Sequence, residues 1–295
     1  MIISYKIHEV SPYINWIYFF HAWGFQPRFA AIANIHGCDV CRASWLTTFP
    51  EEERPKASEA MQLFKEANRM LDLLDKDFEV KTLFKLCEAN SDGDNLILDG
   101  MTFPLLRQQV KKREDTPFLC LSDFIRPVSS GITDIAGAFA STIDADMEGV
   151  YEKDPYKHIL VQTLSDRLAE AATEKMHEYV RKEVWGYAKD ENLSIEDLLV
   201  EKYQGIRPAV GYPSLPDQSV NFLLDELLDM KRIGISLTEN GAMYPHASVC
   251  GLMFSHPASE YFSVGKIGED QLEDYARRRN KSVAEIRKFL AANLQ

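Results

Sequence analysis

The spacing of apolar residues predicts two long amphipathic helices. Over residues 57–74, apolar side chains recur at steps of three and four positions, which places them on one face of an α-helix. A second stripe of this kind predicts the longest helix, at residues 159–187. Ahead of the first run, residues 51–55 combine acids with a proline, as is typical of a helix start.

Shorter apolar runs predict strands at residues 83–87 and 95–98, and Ser91-Asp92-Gly93-Asp94 between them is a β-hairpin turn sequence. Asp92 and Asp94 could instead open a calcium loop, but the glutamate needed at its twelfth position is absent. Further strands are predicted at residues 118–124, 134–142, 237–243, 248–254 and 261–267. Helices are predicted at residues 103–112 and 219–231, and two short helices within residues 269–294. Residues 203–217 are predicted to form a loop. The capping sequences 194–197 and 282–285 predict the starts of two short helices.

The order of these elements predicts an α+β fold. Helices and strands alternate irregularly, and no repeat or linker is visible. We expect a single domain with a largely antiparallel, twisted sheet flanked by helices. Residues 1–50 are rich in aromatic side chains, and residues 31–50 look irregular. We expect residues 1–50 to form an arm that packs on a main domain of residues 51–295, with one continuous domain over residues 1–295 favoured.

Composition narrows the function classes. The 295 residues are 45% hydrophobic and 26% charged, which is ordinary for a globular protein. A net charge of −12 argues against nucleic acid and against an anionic membrane surface as partners. No apolar run approaches the roughly 20 residues of a membrane helix, and no secretory signal is visible. The five cysteines form an odd set that suits reduced thiols, so we expect a cytoplasmic protein.

Generic catalytic motifs are missing, so chemistry must come from a less common constellation. The chain has no glycine-rich nucleotide loop, no His-Glu-x-x-His and no Gly-x-Ser-x-Gly. Residues 205–213 hold two glycines and two prolines, which leave backbone groups free for a ligand. Arg207 within them suits a carboxylate. The alternative is a surface turn with a solvated arginine.

A second candidate segment follows at residues 255–262. Tyr261 and Phe262 come after a Ser-His-Pro turn, and their rings could hold an adenine or face a sulfonium by a cation–π contact. The alternative is ordinary strand packing.

His36-x-Cys38-x-x-Cys41 is a third candidate with three open interpretations. The two cysteines could form a redox pair, part of a metal site with His36, or two reduced thiols in a loop. A tetrahedral zinc would need a fourth ligand, for which His21 or Cys87 is a candidate. A thioredoxin role lacks its βαβ context.

Strings spread over nearly the whole chain carry a family resemblance. They are YINW (13–16), QLFKEAN (62–68), SDRLAEA (165–171), VWGYA (184–188), RPAVGYP (207–213), LTENGAMYP (237–245), ASVCG (247–251), FSHP (254–257) and QLEDYARR (271–278). In this order they resemble the S-adenosylmethionine-binding activation domain of cobalamin-dependent methionine synthase.

The resemblance implies a role in methionine biosynthesis. Oxidised cob(II)alamin would be returned to methylcobalamin by one electron from flavodoxin or a similar donor and a methyl group from S-adenosylmethionine. Cobalt supplies the nucleophile of this methyltransferase, so we expect no catalytic side chain here and catalysis by positioning. The sequence starts close to where the family's domain starts. We therefore expect it to act on a separate cobalamin-binding synthase or another corrinoid protein, and not to turn over alone.

The resemblance also assigns binding residues. They are Asn15, Glu170, Glu201, Arg207, Ala209, Gly211, Tyr212, Tyr261 and Phe262. Arg207 would bind the methionine carboxylate, and the backbone of residues 209–212 the adenine and ribose. Tyr261 and Phe262 occupy a paired-tyrosine position, and Glu170 and Glu201 are acids near the site.

Two departures from the family pattern predict weaker S-adenosylmethionine binding. Asn15 stands where the family commonly has an aspartate that binds the ligand's ammonium, and a neutral acceptor is weaker than a charged one. Phe262 lacks the hydroxyl of a tyrosine. Two alternatives follow: a docking module for a corrinoid protein without productive S-adenosylmethionine use, or a metal or redox protein that depends on Cys38 and Cys41.

Overall fold

A six-stranded antiparallel sheet organises the structure, a computed structural model that describes residues 1–110 and 116–295. Its strands are β1 (Ile2–Lys6), β2 (Glu79–Asp92), β3 (Asn95–Leu98), β4 (Met101–Pro104), β5 (Asp134–Ile143) and β8 (Ser248–Met253). Strands β6 (Ser236–Leu237) and β7 (Met243–Tyr244) form a separate small hairpin. The order is β4-β3-β2-β5-β8, and β1 pairs with β2. The predicted α+β fold with a largely antiparallel sheet is confirmed.

Helices flank this sheet. They are α1 (Ile7–Val10), α2 (Trp16–Ala22), α3 (Asp39–Thr47), α4 (Arg54–Leu74), α5 (Ala145–Glu148), α6 (Pro155–Tyr179), α7 (Ile195–Leu199), α8 (Val220–Leu228), α9 (Glu269–Arg278) and α10 (Val283–Phe289). The two long helices, α4 and α6, were predicted from their apolar stripes. Ser194 and Ser282 cap α7 and α10 as expected. None of the described helices is both long enough and apolar enough to cross a bilayer.

Helix α6 is the element on which the site is built. Asp154 caps its start by accepting from the Lys157 amide at 3.2 Å, and Pro155 occupies the first turn, where its missing N–H costs nothing. The predicted end at residue 187 is too late, because the last turn widens into a π-helix at Val180–Val184. Gly186 then takes a left-handed φ of 75°, which ends the helix.

Several short predictions were wrong. The proposed helix at 103–112 begins inside strand β4, where Phe103 pairs with Leu96, and residues 111–112 lie outside the described part. The proposed strand at 118–124 ends in a 3-10 turn, Leu121–Phe124, because Asp123 accepts from the Cys120 amide at 2.8 Å.

Three further segments differ from expectation. Residues 261–267 form no strand, and residues 261–265 line a cavity instead. Residues 237–243 span the turn of the β6–β7 hairpin. Residues 31–50 are not irregular throughout, since they contain α3. For residues 237–243 the pairing of Leu237 with Met243, which a local pattern cannot show, limits the two strands to short pieces.

The first fifty residues contribute to the main sheet and to a shared apolar cluster. Strand β1 pairs with β2 from Ile2 opposite Leu83 to Lys6 opposite Glu79. Phe19, Phe20 and Trp45 are buried in the same cluster as apolar residues of α4 and α6. Burying each such ring contributes about 2 kcal/mol. The division into an arm of residues 1–50 and a domain of residues 51–295 stays a prediction.

A backbone ladder fixes the loop at 203–217 beside β8. The Ile206 amide donates to the Phe254 carbonyl at 2.9 Å and the Phe254 amide returns a bond at 2.8 Å. Leu252 donates to Pro208 at 3.0 Å. Such a close approach requires Gly251, because a Cβ there would lie 2.2 Å from the Pro208 carbonyl oxygen. The loop is thus held against the sheet, above α6.

Candidate functional site

A cavity of about 880 Å³ opens between α6, the 207–214 loop, the 260–265 segment and the residues around the start of α2. Its volume lies within the usual range for small-molecule sites. Among the described residues, its lining includes Tyr13, Asn15, Tyr18, Arg167, Glu170, Glu174, Glu201, Arg207, Pro208, Ala209, Tyr212, Ser214, Glu260, Tyr261 and Phe262.

Arg207 and Glu174 form an ion pair at the buried side of the cavity. The guanidinium Nη2 donates to Glu174 Oε2, and the two side chains are 15% and 6% exposed. Burial disfavours the charged guanidinium, but Glu174 acts together with Tyr203, Tyr261 and Glu170, and their combined effect holds the pKa of Arg207 well above its usual value. Arg207 is therefore a fixed cation.

Two polar atoms of this pair lack a hydrogen-bond partner among the described residues. Arg207 Nε and Glu174 Oε1 are both buried without one. An unsatisfied buried donor or acceptor costs about 1–3 kcal/mol. Both residues line the cavity, so a bound molecule with an acceptor and a donor would remove this cost.

Tyr261 fixes the backbone next to this ion pair. Its hydroxyl accepts from the Arg207 amide at 3.0 Å and lies 3.4 Å from the hydroxyl of Tyr203. The Tyr261 side chain thereby connects the 260–265 segment to the loop, and Tyr261 also lines the cavity.

A second layer of charge lies behind Tyr203. The fully buried Arg181 pairs with Glu191 at 2.6 Å and donates to His177 Nδ1 at 2.8 Å. Burial, then the charges of Arg181 and Arg207, hold the pKa of His177 well below its usual 6.5. The ring is therefore neutral. Because arginine only donates, Nδ1 accepts and the ring proton is on Nε2.

The opposite side of the cavity is more exposed. Tyr212, which is 52% exposed, donates its hydroxyl to Glu170 Oε1 at 2.8 Å. Asn15 is the N-cap of α2, and its Oδ1 accepts from the Ile17 amide at 3.2 Å. One lone pair of the amide oxygen is thus used by the helix, while the amide nitrogen is not.

Eight of the nine predicted binding residues line this one cavity. Gly211 is the exception. It takes a φ of 88° in an exposed turn and donates to the Leu215 carbonyl at 2.9 Å. The individual roles of the nine stay predictions.

Sequence reasoning missed Glu174, although a signal was present. Glu174 lies four positions after Glu170, so the two carboxylates share one face of α6. It also missed Tyr13, Tyr18 and Arg167, which line the cavity as well.

The weak metal candidates His36, Cys38 and Cys41 lie outside the cavity, at the start of α3. Their ligand atoms are all within 4.8 Å of one another. Hydrogen bonds from Cys41 and then His36 lower the pKa of Cys38 to about 7. Neither His21 nor Cys87 joins this group among the described residues.

Comparison with known proteins identifies the family of the chain. Residues 6–280 match the family model described as "Vitamin B12 dependent methionine synthase, activation domain". A crystal structure of the MetH reactivation domain bound to AdoHcy (S-adenosylhomocysteine) is similar with 39% identity and a TM-score of 0.88, over 100% of this chain and 90% of that chain. Since the family model matches most of the chain and this relative matches all of it, the chain belongs to the activation-domain family of vitamin B12-dependent methionine synthase.

Proposed function

We propose that this protein binds S-adenosylmethionine in the cavity and supports the reductive remethylation of cob(II)alamin carried by a cobalamin-binding methionine synthase partner. A low-potential donor such as flavodoxin supplies one electron. The methyl–sulfur bond of the sulfonium breaks, a methyl–cobalt bond forms, and S-adenosylhomocysteine is released. We place this activity in the cytoplasm.

One observation carries the proposal. Separate parts of the chain bring Asn15, Glu170, Glu201, Arg207 and Tyr261 to a single cavity, and these are the residues that the family pattern assigns to the ligand. The similar MetH domain was crystallised with AdoHcy, which is the demethylated product of the proposed ligand.

The charge of the cavity suits this ligand. The described lining contains four glutamates and two arginines, an excess of two negative charges. S-adenosylmethionine carries a sulfonium, an ammonium and one carboxylate, so its net charge is positive. Opposite potentials favour binding and set the orientation of the bound molecule.

The orphaned polar atoms fit the amino-acid end of the ligand. A carboxylate would accept from the unpartnered Nε of Arg207, and an ammonium would donate to the unpartnered Oε1 of Glu174. Rings of Tyr212, Tyr261 and Phe262 line the same cavity and offer faces for a sulfonium or an adenine. These residues would bind and orient the donor, and positioning is the contribution required of them.

Two linked experiments test this function. Calorimetric titration of the chain with S-adenosylmethionine should show one site. Mixing the chain with a synthase that lacks its own activation region, a reductant and S-adenosylmethionine should restore the methylcobalamin spectrum. Arg207→Gln should lose both signals, while Arg126→Gln, at an exposed arginine outside the cavity, should keep both.

A second candidate function is docking on a corrinoid protein without productive use of S-adenosylmethionine. Asn15 and Phe262 favour it, because both lack groups that the family pattern places on the ligand. If the chain binds a cobalamin-carrying synthase fragment but releases no heat with S-adenosylmethionine, docking replaces remethylation as its function.

A further inference from the structure

The His36, Cys38 and Cys41 cluster is a compact set of ligands that the cavity does not use. One nitrogen and two sulfurs lie within 4.8 Å of one another. His36 is exposed, and both cysteines are half-buried, so an ion in solution can reach them. The other three cysteines, Cys87, Cys120 and Cys250, are buried.

Local backbone structure organises the two sulfurs. Cys38 is the N-cap of α3, and its Sγ accepts from the Cys41 amide at 3.2 Å. This spacing places both sulfurs at the N-terminal end of a nine-residue helix, where one ion can contact both. Thiolate is the form of cysteine that binds metals.

The distances are close to those of a metal site. In tetrahedral zinc sites, Zn–S is about 2.3 Å and Zn–N about 2.0 Å, which places two sulfurs about 3.8 Å apart and a sulfur and a nitrogen about 3.5 Å apart. With its ligand atoms within 4.8 Å of one another, the cluster needs shifts of no more than about 1.3 Å to reach this geometry. Rotation of exposed side chains can supply such a shift without moving the helix.

We propose that His36, Cys38 and Cys41 bind one zinc-type divalent cation, with a water molecule completing its tetrahedron. The histidine favours a metal over a disulfide, because a disulfide needs only the two cysteines. Two thiolates and an imidazole are ligands that zinc prefers. The bound ion would hold the segment before α3 against the start of this helix. The site goes beyond the proposed function, because none of its residues lines the cavity.

Metal titration of the full chain tests the proposal. The chain is treated with a chelator under reducing conditions and titrated with Co²⁺, then with Zn²⁺. We expect one cobalt per chain with a thiolate–cobalt absorption band that zinc abolishes. Bound zinc should also protect two thiols from alkylation.

Variants assign the ligands. Cys38→Ser and Cys41→Ser should each abolish the thiolate–cobalt band or weaken it strongly. His36→Ala should weaken cobalt binding by at least about tenfold, since even outer-shell changes have effects of that order. His21→Ala, at an exposed histidine outside the cluster, should bind cobalt as the unmodified chain does. Circular dichroism checks that each variant folds.

Three results would overturn the site. They are an absent thiolate–cobalt band in the folded chain, equal metal affinity in a Cys38→Ser/Cys41→Ser double variant, and reversible formation of a Cys38–Cys41 disulfide without metal binding. Titration of the double variant with S-adenosylmethionine separates this test from the proposed function, because the donor should still bind when the metal does not.

Discussion

The two sides of the cavity differ in their exposure to solvent and in whether they carry an ion pair. The buried wall consists of the ion pair of Arg207 and Glu174, whose side chains are only 15% and 6% exposed, and of Tyr261, which is 37% exposed and accepts from the Arg207 amide at 3.0 Å. The open wall consists of Asn15, Tyr18 and Tyr212, in which the two tyrosines are 59% and 52% exposed. Charge is fixed on the first wall, while Asn15 is neutral on the second.

This difference shows which wall is preorganised for ligand binding. On the buried wall, the cost of desolvating Arg207 is offset by Glu174 during folding, so a ligand meets an oriented guanidinium. On the open wall, a ligand must itself exclude water from exposed rings. We therefore expect changes on the buried wall to alter both stability and binding, and changes on the open wall to alter binding with little effect on stability.

Removal of Arg207 should have the largest effect. Arg207→Ala leaves the carboxylate of Glu174 buried without its counter-charge, so the free energy of unfolding should fall by about 3–5 kcal/mol. S-adenosylmethionine binding should be lost as well. Urea denaturation and calorimetry measure the two effects. Arg207→Lys should be intermediate, because lysine keeps the charge but not the planar fork.

A double-mutant cycle gives this prediction its control. Glu174→Gln combined with Arg207→Ala removes both charges, so the double variant should recover part of the lost stability. If the stability losses of the two single variants simply add in the double variant, the two residues are not energetically coupled. The ion pair then does not order the buried wall.

Acid should weaken the buried wall through His177. The pKa of this ring is about 6.5 in the unfolded chain and well below that in the folded protein, so its contribution to stability is complete above pH 6.5. As the pH falls below 6.5, the unfolded chain takes up a proton that the folded protein does not. The free energy of unfolding should then fall as the pH falls, by at most about 1.4 kcal/mol per pH unit.

Denaturation at several pH values tests the role of His177. His177→Gln can still accept from Arg181 and cannot titrate, so its stability should depend less steeply on pH between about 6.5 and 5. His246→Gln replaces an 84% exposed histidine and should keep the slope of the unmodified chain. Equal slopes in all three proteins would show that His177 is not buried as a neutral ring.

Loss of the Tyr261 hydroxyl should have a smaller effect. Tyr261→Phe removes the acceptor for the Arg207 amide, so stability should fall by about 1 kcal/mol, with a several-fold loss of S-adenosylmethionine affinity. Tyr212→Phe on the open wall removes a hydroxyl that donates to Glu170 at 2.8 Å, but its exposure should limit the loss of stability to a few tenths of a kcal/mol. Equal losses in the two variants would remove the distinction between the walls.

The two walls also differ in how much of them could be predicted from sequence. The 207–213 string and the stripe of α6 were visible locally, and the family resemblance brought Asn15 and Tyr261 into the same prediction. The Arg207–Glu174 pair was not predicted, because it depends on how the loop lies over α6. The same limit explains the wrong helix at 103–112, where pairing of Phe103 with Leu96 outweighed the local pattern.

Charge added to the open wall should improve binding without changing stability. Asn15→Asp gives the ligand's ammonium a charged acceptor, which should tighten S-adenosylmethionine binding about fivefold, equivalent to about 1 kcal/mol. Aspartate caps a helix as well as asparagine does, so the bond to the Ile17 amide should persist and the urea midpoint should not move. Unchanged affinity would mean that the ammonium lies elsewhere, with the unpartnered Oε1 of Glu174 as its remaining acceptor. Both ends of the amino acid would then bind to the buried wall, and the open wall would contribute only ring surface to recognition.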